Sequence, residues 1–135
     1  MTLTLSDALT LTEHVIAYSG ERKWRVSVAV VDAAGHTISV QRTDTAMWFT
    51  PAIAVAKART CVACGGPSDK FADMRINKPE VWEQFGLQLP FTPTTLRGGI
   101  LIEVDGRAVG AIGVSGATSD EDVEAAEFAI ARWRG

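Results

Sequence analysis

The sequence predicts a single α+β domain over residues 1–135, an antiparallel sheet with helices packed over it. Two glycine-containing turns between apolar runs support this, together with the order in which helical and strand patterns alternate. Val104-Asp105-Gly106-Arg107 joins two apolar stretches. An Asp-Gly pair in that setting is the strongest short-range sign of a hairpin, because both turn residues must accept positive φ. Asp32-Ala-Ala-Gly35-His36 joins two more, with Gly35 suited to a left-handed turn position. Hairpins pair their strands antiparallel, which excludes the doubly wound parallel folds. A chain of 135 residues can bury roughly two-thirds of its unfolded surface around one core.

Each element follows from local pattern. Thr4 is the cap of a first helix, with Asp7 three positions on as its reciprocal partner. Leu5, Ala8, Leu9, Val15 and Ile16 recur at helical spacing and predict its buried face, which ends near Gly20. Val26–Val31 is rich in β-branched residues and reads as a strand, with Thr37–Arg42 as its hairpin partner. Thr50-Pro51 opens a second helix, Thr as cap and Pro where the missing amide had no partner anyway. The stretch Ala52–Cys64 is apolar on nearly every side, with Lys57 and Arg59 its only charges, so it should be largely buried. Gly65-Gly66-Pro67 stops it. Residues 67–96 carry Pro67, Pro79, Pro90 and Pro93 among Phe71, Trp82, Phe85 and Phe91. A connection this long serves as a lid, a binding segment or an interface arm, with short helical turns expected near Ser68–Met74 and Lys78–Gln84. The second hairpin then leads to a last helix, capped by Ser119, with Val123, Ala126, Ile130 and Trp133 in one stripe.

Bulk properties exclude several function classes. The net charge of −3, with 13 basic residues scattered along the chain, argues against nucleic acid, which is bound through clustered Lys and Arg. No apolar run approaches the ~20 residues that span a bilayer. The N-terminus has no basic region followed by an apolar stretch, so the cytoplasm is the expected location.

The candidate chemistry is sparse. Cys61-Val-Ala-Cys64 has redox spacing, but it falls at the end of a helix, where the dipole disfavours a thiolate. Buried, reduced core thiols are expected there, and no metal site is expected because His14 and His36 lie in unrelated elements. Each histidine reads as solvated or locally hydrogen-bonded. Lys57, set among alanines and aliphatics, either reaches the rim or lines a polar pocket where burial lowers its pKa, and Thr60 shares its face. Gly113-Val-Ser-Gly116 precedes a helix, but Asp120, Glu121, Asp122 and Glu124 already occupy the first turn, so no nucleotide is expected. At Arg97-Gly98-Gly99, two glycines let a ligand approach the backbone, and Arg97 offers a forked donor to a carboxylate.

The blocks Val28-Ala-Val-Val-Asp-Ala-Ala-Gly-His36, Ala54-Val-Ala-Lys-Ala-Arg-Thr60 and Gly98-Gly99 through Val104-Asp-Gly-Arg-Ala-Val-Gly-Ala-Ile-Gly-Val-Ser-Gly-Ala-Thr-Ser-Asp-Glu-Asp122 resemble the GlcG/HbpS-like family. The resemblance covers essentially the whole chain, with residues 65–96 the poorest match. It implies a profilin-like α/β/α sandwich around a five-stranded antiparallel sheet. It also implies a small-ligand-binding homo-oligomer, with haem a candidate cofactor and a link to the catabolism of small organic acids or aromatics. Lys57 and Thr60 match the family's central-helix turn, and Gly98-Gly99 match its pocket-lining loop. The chain departs from the family's Leu-Pro-Gly-Gly-x-Pro-Ile loop with Leu96-Arg-Gly-Gly-Ile-Leu-Ile102, and it carries Met47-Trp48-Phe49 where small residues are common. Both changes reshape the expected pocket mouth.

Three functions follow as expectations. The first is a binding module with its pocket between Gly98-Gly99, the Lys57 helix and the aromatic segment. The second is a cofactor-independent enzyme of tautomerase, decarboxylase or lyase type. In it Arg97 binds a carboxylate, Lys57 or a histidine moves the proton, and Trp48 and Trp82 pack the ring. The third is an interaction protein that uses residues 67–96 as an arm.

Overall fold

The computed structural model describes residues 1–134. Helix α1 (Leu5–Glu21) leads into a hairpin of β1 (Ser27–Asp32) and β2 (Thr37–Arg42), then α2 (Thr50–Cys64). Two short helices, α3 (Ala72–Asn77) and α4 (Pro79–Leu87), precede the second hairpin, β3 (Gly99–Val104) and β4 (Arg107–Ser115), and α5 (Ser119–Arg134) ends the chain. The strands form one antiparallel sheet in the order β2-β1-β4-β3. The hairpins therefore lie side by side, with β1 and β4 paired from Ser27↔Ser115 to Asp32↔Gly110.

The sheet has four strands rather than the expected five. The stretch before β3, from Leu89 to Gly98, takes no regular structure. Pro90 and Pro93 within it withhold the amide donors that a further strand would need.

Strand alternation assigns the two faces. Val28 and Val30 of β1, Ile112 and Val114 of β4 and Ile102 of β3 meet Leu11 and Val15 of α1 and Ala125, Ala126, Ala129 and Ile130 of α5. The alternate residues Val31 and Ala111 meet Ala58 and Cys61 of α2. A two-helix layer thus covers one face and α2 the other.

The predicted capping box at Thr4 and Asp7 is present. The buried face of α1 keeps Ala8 and Val15 of the expected stripe but is otherwise rotated from it. Ala8, Leu11, Thr12, Val15 and Ser19 point inward, whereas Leu5, Leu9 and Ile16 are exposed. The partner helix presents alanines, and small residues on α1 let the two backbones approach. Two other caps are displaced by one residue. Phe49, not Thr50, is the N-cap of α2, and the Thr50 hydroxyl donates to the Met47 carbonyl instead. At α5 the reciprocal pair is formed by Thr118 and Glu121, one residue before Ser119.

Helix α2 lies directly on the sheet backbone. A β-carbon at Gly113 would collide with the Ala54 carbonyl oxygen and lie 2.9 Å from the Ala58 nitrogen. One at Gly99 would lie 2.6 Å from the Lys57 carbonyl oxygen. Glycine is required at both positions because α2 has no room to retreat.

Helices α3 and α4 pack against each other and, among the described residues, against no other helix or strand. Phe71, Trp82 and Phe85 form their small joint core. Ile76, Val81 and Leu87 are exposed on this arm.

Gly113→Ala is expected to destabilise the protein by about 2 kcal/mol or more, since overpacking here moves a whole helix. Gly20→Ala, with nothing within 4 Å, is expected to stabilise α1 by about 0.5–1 kcal/mol. Urea denaturation of both variants checks the pair, and equal midpoints would contradict the close seating of α2.

Candidate functional site

Lys57 sits in the middle of α2, facing the end of the sheet where β4 gives way to α5. Its side chain is 4% exposed, as is that of Asp122 in the first turn of α5. The Lys57 ammonium donates to the Val114 carbonyl oxygen at 2.8 Å and to Asp122 Oδ2 at 3.2 Å. The Ala117 amide donates to Asp122 Oδ1 at 3.1 Å, so both carboxylate oxygens are engaged.

Gly98 makes this pairing possible. Its φ is +125°, and a β-carbon there would lie 2.6 Å from Lys57 Nζ. Burial pushes the Lys57 ammonium below its ordinary range, with the Asp122 charge pulling it back up. Burial likewise pushes Asp122 up, against the opposing pull of Lys57 and the Ala117 amide. Each group offsets the other's charge in a setting that would otherwise neutralise it.

A cleft of about 270 Å³ opens over the pair, walled by Met47, Phe49, Ile53 and Leu96 and floored by Lys57 and Ser115. Its rim is apolar and open. Met47 is 59% exposed, Leu96 51% and Trp48 82%, with the Trp48 ring edge-on to Phe49 at 5.8 Å. A larger cavity, about 630 Å³, lies at the opposite end of the sheet beside Asp105, Gly106 and Trp133. It holds none of the candidate catalytic or ligand-binding residues.

Of those residues, Lys57 alone lines this cleft, Gly98 packs against Lys57 Nζ beside it, and Trp48 lies outside the lining against Phe49. Gly99 lies under α2 and offers no approach to a ligand. Arg97 is paired with Asp120 on the surface rather than aimed into the cleft. The Thr60 hydroxyl is buried and accepts the Thr94 amide at 3.1 Å, which anchors the segment leading to β3. Trp82 stays on the arm, with the Arg75 guanidinium 5.7 Å from its ring. His36 lies at the hairpin tip, 3.7 Å from Asp32. Cys61 and Cys64 are free and buried, and burial pushes both thiols up. Asp122 and Ser115 were missed. The acidic run 120–124 reads as a solvated helix start, yet a lone lysine on an apolar helix was itself a signal that some carboxylate must turn inward.

An antiparallel sheet between one helix and two, with a charge-floored cleft at one end, defines a small α+β sandwich protein. The sequence profile of the family described as haem-degrading, HbpS-like protein matches residues 3–131, and the chain belongs to that family. It is 32% identical to protein GlcG of Escherichia coli K12 over 95 residues, 70% of this chain and 67% of that protein. The fold superposes on a PduOC–haem complex with a TM-score of 0.83 and 26% identity, covering 97% of this chain and 94% of that one. It superposes on a double mutant of HbpS from Streptomyces reticuli with a TM-score of 0.85 and 29% identity, covering 98% and 87%.

Haem needs an axial donor and an apolar surface for its ring. Among the described residues, no His, Cys or Tyr lines the cleft, and Met47 is the side chain there of a haem-ligating type. The cleft falls below the ~300–1,000 Å³ of sites that enclose drug-sized ligands. Met47, Phe49 and Leu96 would offer haem an apolar surface at the cleft mouth. No helix among the described residues is long and apolar enough to cross a membrane.

Lys57→Met leaves Asp122 buried and unpaired, and an expected loss of about 3–5 kcal/mol follows. The double variant Lys57→Met/Asp122→Leu should recover most of it. Urea denaturation measures both, and a single variant costing under about 1 kcal/mol would show the pair to be solvated.

Proposed function

We propose that this protein is a small-ligand-binding protein that holds a flat, amphipathic ligand at the mouth of the Lys57 cleft. Haem is the ligand that its similar structures favour. The observation that carries this reading is the exposed rim of Met47, Phe49 and Leu96, with Trp48 against Phe49 beside it, around a buried charged floor. An apolar rim over a few fixed polar groups is the usual composition of a ligand site. The rim is open on one side, so the working form is an oligomer, with the α3–α4 arm and its exposed Ile76, Val81 and Leu87 as the surface available to another copy. Such exposed apolar groups mark interaction sites.

The resemblance of the fold to a PduOC–haem complex supports haem in particular. A bound haem would supply an iron centre at the rim, while this chain's residues hold its face and shield it from water. The geometry does not favour a catalytic role for the residues first considered. Lys57 is tied to Val114 and Asp122, and Arg97 to Asp120.

Titration with haemin should give a sharp Soret band that survives gel filtration. The double variant Met47→Ala/Trp48→Ala should weaken binding by about tenfold or more, as loss of an aromatic anchor does. A protein that gains no band, or a variant that binds as tightly as the parent, would overturn the assignment.

A further inference from the structure

We infer that the floor of this cleft is a seat for the carboxylate of a small ligand with an apolar body, formed by Lys57, Ser115 and the N-terminus of α2. The inference rests on the proposed placing of a ligand at this mouth and names the chemistry below it.

Three observations converge. An ammonium has three donors, and Lys57 gives two of them to Val114 and Asp122 while its side chain lines the cleft. One donor is left for what enters. Ser115 ends β4, is 5% exposed and also lines the cleft, so its hydroxyl is a polar group set at the cavity wall. Its cross-strand partner Ser27 is bonded to the Thr50 hydroxyl at 2.8 Å. A serine hydroxyl at the cleft wall can donate to a group that enters the cleft.

The third observation is the start of α2. This 15-residue helix has no side-chain cap and no acidic residue in its first turn, and Phe49, Thr50 and Ile53 of that end line the cleft. The Thr50 and Ile53 amides are bonded to the Met47 and Phe49 carbonyls and Pro51 has none, so this end adds a favourable dipole field at the cavity rather than free amide donors.

The charges around the cleft sharpen the choice of ligand. Asp122 lines it too, but its oxygens are committed to Lys57 and Ala117, and Glu121 accepts the Thr118 amide. Arg97 and Asp120 neutralise each other outside. The groups free to meet a ligand are donors, and the walls of Met47, Phe49, Ile53 and Leu96 are apolar. A monocarboxylate with a small apolar body fits both, and a cavity of about 270 Å³ suits one the size of benzoate.

Isothermal titration calorimetry on the whole chain, with benzoate and its neutral isostere benzamide, tests the seat. Benzoate should bind saturably at millimolar concentration or below, and benzamide about tenfold more weakly. Ser115→Ala should weaken benzoate by a similar factor while leaving the near-ultraviolet circular dichroism unchanged. Ile53→Trp, which fills the cavity without touching its polar groups, should abolish benzoate binding and carries the test if Ser115→Ala fails to fold. Equal affinity for benzoate and benzamide, no saturable heat, or unaltered binding in both variants would overturn the inference. A parallel haemin titration separates the two claims. Haemin binding without benzoate binding removes the carboxylate seat alone, and the reverse removes the haem assignment alone.

Discussion

Everything distinctive about this fold depends on how closely α2 approaches the sheet. At Gly99 and Gly113 no side chain stands between helix and strand, and helix backbone meets strand backbone. That contact brings the Lys57 ammonium to the carbonyl of Val114 at 2.8 Å, and the chain then turns through Gly116 into α5, whose first turn supplies Asp122. With a thicker layer between α2 and the sheet, the lysine would sit above the sheet end and reach water. Seated as it is, the lysine must be paired, and the pair closes the bottom of the cleft.

The cost of that arrangement is desolvation, and the structure offsets it with fixed partners rather than with water. Lys57 and Asp122 hold each other in the charged state only because hydrogen bonds from Ala117 and to Val114 complete their shells. A pair built this way positions a ligand better than it transfers protons, since each partner would leave the other stranded on changing charge. The apolar rim completes the division of labour, with polar direction below and area for an apolar body above.

Much of the fold was legible in the sequence. Asp105-Gly106 and Gly35 marked both hairpins, Pro51 and Gly65 bracketed α2 and Thr4 capped α1. What escaped was decided by tertiary packing. Apolar spacing on α1 allowed two faces, and only the alanines of α5 select the one with Thr12 and Ser19 inside. Glycines at 99 and 113 announced a close approach, but not whether a ligand or a helix would make it. At the site, Lys57 was legible as an anomaly on an apolar helix. Asp122 was not, because a carboxylate in a helix's first turn already has an ordinary role there. Arg97 failed for the opposite reason, since its neighbour in space, Asp120, lies 23 positions away and takes its guanidinium.

Lys57 is a buried ammonium held by Asp122 at the floor of the cleft. Nitrogen NMR of the lysine side chains across an alkaline pH titration tests it most directly. One ammonium, assigned through Lys57→Met/Asp122→Leu, should exchange slowly with water and titrate below the ordinary lysine range. If the Lys57 ammonium exchanges rapidly and titrates in the ordinary lysine range, the pair is open to solvent and does not form the floor of the cleft.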